Sequence, residues 1–155
     1  MFYLKKHYYD GSDKQGNTLI VYDARLRLLG IPLSYSACLL HYADGQKQHF
    51  STLRRLKHHA TQFTQPALAL HGEWLPVKDS LPPLRIFSQG KKYIDWHCHT
   101  PQTTFSAQIA EQRWQGTGYA ETLEMTLPPW YLPMHELRWG TLSLVNAYSD
   151  LDCLA

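Results

Sequence analysis

The chain has 155 residues, 44% of them hydrophobic and 18% charged, which fits a single domain spanning 1–155 and excludes a disordered or fibrous class. Lys and Arg number 15 against 13 Asp and Glu, a formal charge of +2, so electrostatics give no case for a nucleic-acid partner or an anionic membrane surface. The excess lies in 5 Trp, 10 Tyr, 5 Phe and 9 His, a set that suits the wall of an apolar groove better than a polyanion site.

Residues Met1 to His7 lack the apolar stretch of a secretory signal. No run approaches the roughly 18 apolar residues of a membrane span, so a cytoplasmic protein is expected. Cys38, Cys98 and Cys153 are odd in number and contain no CxxC pair, which points to reduced thiols rather than a disulfide framework.

The dominant local signal is strand: short runs of β-branched and aromatic residues broken by Gly, Pro, Asn and Asp. Between Asn17 and Leu29, Ala24, Leu26 and Leu28 alternate with Asp23, Arg25 and Arg27, the period of a sheet with one polar face. Gly30 and Pro32 end that run. A second strand from Leu33 to Tyr42 sets Tyr35, Ala37, Leu39 and His41 against Ser34, Ser36, Cys38 and Leu40. Ala43 to Gln46 supplies a turn, and a third strand from Gln48 to Leu53 completes a meander.

Residues Arg54 to Gln65, with the pair His58 and His59, read as a short helix or an exposed loop. Further strands are expected at 67–71, 73–77, 84–88, 91–96, 104–111, 119–127 and 141–148. Pro82, Pro83, Pro128, Pro129 and Pro133 act as breakers, placing 130–134 outside regular pairing. Many short strands at close spacing predict an all-β fold, a barrel or a strongly curved sandwich with little helix.

Three stretches can carry chemistry. If the strand through Ile94 continues to His99, then Asp95, His97 and His99 share one face, and Trp96 and Cys98 the other. A His-x-His pair on a strand can offer two imidazoles to a metal ion, although hydrogen-bonded or solvent-facing histidines are the simpler reading. In the second stretch, Gly116 and Gly118 flank Thr117. No helix and no GK[ST] continuation follows, so these glycines serve a bulge or turn rather than a phosphate loop, and no cofactor is expected. Tyr119, Glu121, Leu123 and Met125 then share a face. An apolar wall around Glu121 would raise its pKa and prepare a general acid, whereas an ion pair with Arg138 would make it structural. The third stretch, from Pro128 to Gly140, carries Trp130, Arg138 and Trp139 in a Pro-rich aromatic loop that can close one end of a barrel, as a core plug or as a ligand wall.

Taken in order, Trp96 to Pro101, Gly116 to Glu121, Pro129 to Pro133 and Leu137 to Gly140 resemble the lipocalin-like superfamily that includes carotenoid 1,2-hydratase (hydroxyneurosporene synthase) and the AttH-type proteins. The resemblance is carried by residues 85 to 148 and, in the first half, by strand pattern alone. It implies a lipocalin-like barrel whose cavity binds an apolar small molecule such as an isoprenoid, lipid or polyketide. Some relatives add water to a terminal isoprenoid double bond, and others guide cyclisations. Members commonly carry two such barrels, so a homodimer or a second lipocalin-like domain is an expected partner.

Protonating an alkene needs an acid, and the carbocation that follows needs aromatic faces. The residues expected to supply these are Glu121 or Asp95 as acid, Tyr119, Trp96 and Trp130 as wall, and His97 or His99 to orient water. Tyr35, Arg138 and Trp139 are further ligand-binding candidates. The contrasting class is a non-catalytic binding protein in which the same residues only orient a ligand. A metal-dependent enzyme using His97 and His99 is a third possibility.

Overall fold

The computed structural model describes residues 2–59 and 61–132. Within them the fold is all-β: ten strands joined in antiparallel pairs in one sheet, with two short 3-10 turns at Pro66–Leu68 and Pro129–Tyr131. Chain order gives β1 (Phe2–Ser12), β2 (Thr18–Leu28), β3 (Ile31–His41), β4 (Lys47–Thr52) and β5 (Lys57–His59). Then follow β6 (Gln62–Gln65), β7 (Leu70–Pro76), β8 (Leu84–Gln89), β9 (Lys92–Ile109) and β10 (Gln112–Met125). Across the sheet the order is β4-β3-β2-β1-β10-β9-β7-β6-β5, and β8 pairs with β9 off this path.

The expected meander is present as β2, β3 and β4, with the Tyr42 to Gln46 turn between the last two. Elsewhere the structure departs from the sequence reading. The opening residues form β1, a central strand that pairs with β2 on one side and β10 on the other. Its two faces are both covered in part, so FYLKKHYYD shows no clean alternation. Residues 54–65 form neither a helix nor a simple loop: a bend leads into the hairpin of β5 and β6. The segments expected at 91–96 and 104–111 are one long strand, β9. Pro101 fits within it because the β9–β10 register shifts beside it, between Gly118 and Ala120, where ladder hydrogen bonding is already interrupted. The strand expected at 141–148 lies outside the described residues.

The sheet does not close, since β4 and β5 are unpaired edges, but it curls until distant strands meet. On its inner face Tyr9 of β1 packs on Phe63 of β6, with ring centroids 4.6 Å apart. Phe63 packs on Trp74 (5.1 Å), and Trp74 stacks on Phe105 (4.9 Å). Leu19, Val21, Cys38, Leu40 and Leu56 belong to the same core, with Leu70, Ile109 and Trp114. Much of the aromatic excess therefore fills the concave side. Residues 53–56 bridge the gap between the edges, where the Arg54 carbonyl accepts from Ser36 Oγ of β3 (2.8 Å) and from Gln65 Nε2 of β6 (3.0 Å).

The outer face carries a second cluster of Phe2, Ile94 and Met125 with Leu4, Leu26, Leu28 and Leu123 against it. The alternation in β2 is thus real, but Ala24, Leu26 and Leu28 face outward and Asp23 faces the interior, fully buried.

Gly116 and Gly118 have a definite steric task. A Cβ at Gly116 would strike the Ser12 carbonyl, and one at Gly118 the Asp10 carbonyl, so β10 lies this close to β1 only because both positions lack a side chain. The bulge expected here is present, as register shifts on either side of Ala120.

Candidate functional site

The sheet sorts the chemistry-bearing residues onto its two faces. On the outer face the register places Tyr22, Tyr8 and Glu121 side by side across β2, β1 and β10. Tyr8 lies 5.2 Å from the Tyr22 ring and 5.5 Å from the Tyr119 ring. Glu121 is buried at 5% exposure, and its Oε2 accepts a 2.7 Å hydrogen bond from the Trp96 indole Nε1. Lys6, one step along β1, holds its ammonium 4.2 Å from the Tyr22 ring centroid and 5.6 Å from that of Tyr8. Burial pulls the Lys6 ammonium below the usual lysine range, against the opposing attraction of Glu121. Burial also raises the Tyr8 phenol, with the negative charge of Asp10 adding to the effect. Tyr8 is therefore a neutral ring at physiological pH.

Four of the expected residues, Trp96, Tyr119, Glu121 and Tyr35, share this face. Tyr35 stands in the register row of Lys6, through Ala24. Trp130 lies farther away, edge-on to Phe2 at 6.0 Å. Phe2 is six residues along β1 from Tyr8, about 20 Å at strand rise. Arg138 and Trp139 lie outside the described residues.

Asp95, His97 and His99 belong with the opposite face. Asp95 is held by Arg85 in a two-pronged contact of 2.7 and 2.8 Å near the open end of β8 and β9, and the guanidinium keeps its carboxyl below the usual range against the opposing effect of burial. His97 pairs across the ladder with Thr122, and its ring centroid is 6.0 Å from that of His99. His99 reaches the Tyr9 ring edge at 6.5 Å. Burial lowers the His99 pKa, and the neighbouring His97 lowers it further. The sheet thus separates both imidazoles from the Glu121 carboxyl, while the His99 ring still reaches the Glu121 backbone.

What joins them on the inner face was not legible in the sequence. Asp23, fully buried, accepts from Ser36 Oγ (3.0 Å) and the Leu56 backbone N–H (3.0 Å) on Oδ1, while Oδ2 lies 3.2 Å from His58 Nε2. Burial alone would raise this carboxyl, but the bonds from His58, Leu56 and Ser36 together outweigh it and hold the pKa low. His58 Nδ1 meets the Tyr9 hydroxyl at 3.1 Å, and His7 Nδ1 meets Thr122 Oγ1 at 3.0 Å. The His7 and His58 rings are 5.0 Å apart. Burial, and then the proximity of His58, push the His7 pKa down to about 4. The His58-His59 pair was the one sequence signal here, and only the hairpin that aims His58 inward gives it meaning. Beside His58 opens a cleft of about 600 Å³ lined by Arg25, Arg54, Arg55, Leu56 and Lys57.

No protein-family model matches the chain, and no curated protein matches it. Among solved structures, a protein of Nitrosomonas europaea described as a "putative AttH" is similar in fold, with a TM-score of 0.50 and 10% sequence identity. The match covers 80% of this chain and 50% of that one, so the chain spans about half the length of the structure it matches. At that identity the likeness shows the fold, and it agrees at that level with the AttH-type resemblance read from the sequence. Among the described residues no helix is long and apolar enough to cross a membrane.

Proposed function

We propose that the chain binds an apolar small molecule, of isoprenoid, lipid or polyketide type, against the outer face formed by Tyr8, Tyr22, Tyr119 and Trp96, with Glu121 as the acid of an alkene hydration or cyclisation. The observation that carries the reading is the Lys6 ammonium resting on the Tyr22 and Tyr8 rings: these π-faces are already turned to receive a cation. A carbocation formed beside Glu121 would use the same quadrupoles in place of the Lys6 ammonium, which must first move off the rings. In the hydration, the Glu121 carboxyl gives its proton to the terminal alkene carbon. Water then adds to the cation formed on the neighbouring carbon and returns a proton to the carboxylate, so the enzyme is regenerated and the product gains one water. The Trp96 indole, donating to Oε2, fixes which carboxyl oxygen faces the substrate.

Such chemistry needs exclusion of water. Ile31 and Leu33, 61% and 49% exposed, extend the same face beyond Tyr35. Because the matched part of this chain covers only 50% of its fold neighbour, this exposed stripe supports a second copy, or a second domain of the same kind, as the cover.

The test is Glu121→Gln incubated with an acyclic isoprenoid alkene in detergent. A product heavier by one water with the wild type, and retained binding without product in the variant, supports the acid. Equal turnover by the variant refutes it. The second reading, a non-catalytic binder, is favoured by the Trp96 bond itself, which suits an orienting carboxylate equally well, and it predicts binding without product in both proteins.

A further inference from the structure

We propose that His7, Asp23 and His58 form a binding site for a divalent first-row transition ion, on the inner face and independent of the Glu121 site. One nitrogen from each imidazole and one Asp23 oxygen lie within 4.8 Å of one another. Within this set His58 Nε2 and Asp23 Oδ2 are 3.2 Å apart. Two ligands on a tetrahedral zinc with bonds near 2.0–2.1 Å stand about 3.4 Å apart, so this edge is already at ligand spacing and only His7 must swing inward.

The surroundings match what metal ligands require. A ligating imidazole ordinarily donates its second N–H to an oxygen, which fixes the tautomer and aims the lone pair. Here His7 Nδ1 is engaged by Thr122 Oγ1, leaving Nε2 for the ion, and His58 Nδ1 is engaged by the Tyr9 hydroxyl, leaving Nε2 toward Asp23. The carboxylate is held in the same way: Ser36 and the Leu56 N–H occupy Oδ1 and leave Oδ2 to the His58 side. All three ligands are thus oriented by separate partners on β3, β10, β1 and the 53–56 bridge.

A purely structural His–Asp pair would explain one imidazole. It does not explain the second, whose ring is 5.0 Å from the first on the neighbouring strand position to Asp23. Three protein ligands leave a fourth position exchangeable, and His58 borders the cleft lined by Arg25, Arg54, Arg55 and Lys57. An exogenous ligand completing the coordination there would be an anion, such as a carboxylate. Arg25 Nε, 3.7 Å from Asp23 Oδ2, opposes a dication, and this places the affinity below that of a closed structural zinc site.

The experiment is titration of chelator-treated full-length protein with Co²⁺, read by its visible absorption, with Zn²⁺ as competitor. The expected result is one equivalent bound with a tetrahedral or five-coordinate spectrum. Weakening of at least about 10-fold is expected in both His7→Gln and His58→Gln, and a smaller loss in Thr122→Val, where only the outer partner is removed. His97→Gln and His99→Gln should bind as the wild type does. Far-ultraviolet circular dichroism establishes that each variant is folded, and Thr122→Val reads the site without removing a ligand. No bound Co²⁺ in the wild type, or a loss confined to the His97 and His99 variants, overturns the assignment.

Discussion

Replacing Asp23 by Ala gives the sharpest test of how the inner face is held together. The carboxylate is fully buried and takes three hydrogen bonds, each with a different consequence when it is lost. Ser36 keeps its second partner, the Arg54 carbonyl, so its loss is small. The Leu56 N–H has no such reserve, and an orphaned buried donor costs about 1–3 kcal/mol. The bond from His58 to an ionised carboxylate contributes about 1.5–3 kcal/mol. Together these give about 2.5–6 kcal/mol for Asp23→Ala, which brackets the roughly 3–5 kcal/mol found when one member of a buried pair is deleted. Asp23→Asn keeps an oxygen for Leu56 and Ser36 and should cost about half as much. Urea unfolding followed by tryptophan emission measures both. An Ala variant within about 1 kcal/mol of the wild type would refute the reasoning, and equal losses in Ala and Asn would show that the Leu56 bond contributes nothing.

The remaining predictions follow from the same geometry. Gly118→Ala forces a methyl against the Asp10 carbonyl, so it should destabilise by more than the sub-kcal/mol cost of an ordinary strand substitution, and hydrogen exchange should show the β1–β10 ladder loosening first. Phe63→Ala removes a fully buried ring that touches both Tyr9 and Trp74, and should cost about 3–5 kcal/mol by the same unfolding assay. In metal-free protein, burial keeps native His7 from taking a proton until about pH 4, whereas the unfolded imidazole takes one near 6.5. Between these values the unfolded state binds more protons, so stability should fall as pH drops through this window. His7→Gln should flatten the profile there; an unchanged slope contradicts the assignment.

How much of this was legible in the sequence depended on whether a face was covered on one side or on both. Strands β3 and β4 were readable because Ser36, Cys38 and Leu40 alternate with outward residues and a turn follows. In β2 the period was right but its sense was reversed, because Asp23 looks like a solvent residue until the bridge at Leu56 covers it. Strand β1 gave no alternation, since Lys6 and Tyr8 on the outer face are half-buried, as is His7 on the inner face beside the buried Tyr9. For that reason the strand that supplies both candidate sites was missed. The grouping of Trp96, Tyr119 and Glu121 was recoverable from period two within β9 and β10. The meeting of His7, Asp23 and His58 was not, because it depends on three segments brought together only by the curl of the sheet.

The central claim, a small molecule held on the Tyr8, Tyr119 and Trp96 face, is tested most directly by native mass spectrometry of freshly purified protein. The account predicts a wild-type species carrying a retained apolar ligand that is lost from a folded Tyr8→Ala/Trp96→Ala double variant. A variant that keeps the ligand at wild-type occupancy, or a wild type that arrives empty and takes up no isoprenoid or lipid offered to it, would contradict the claim.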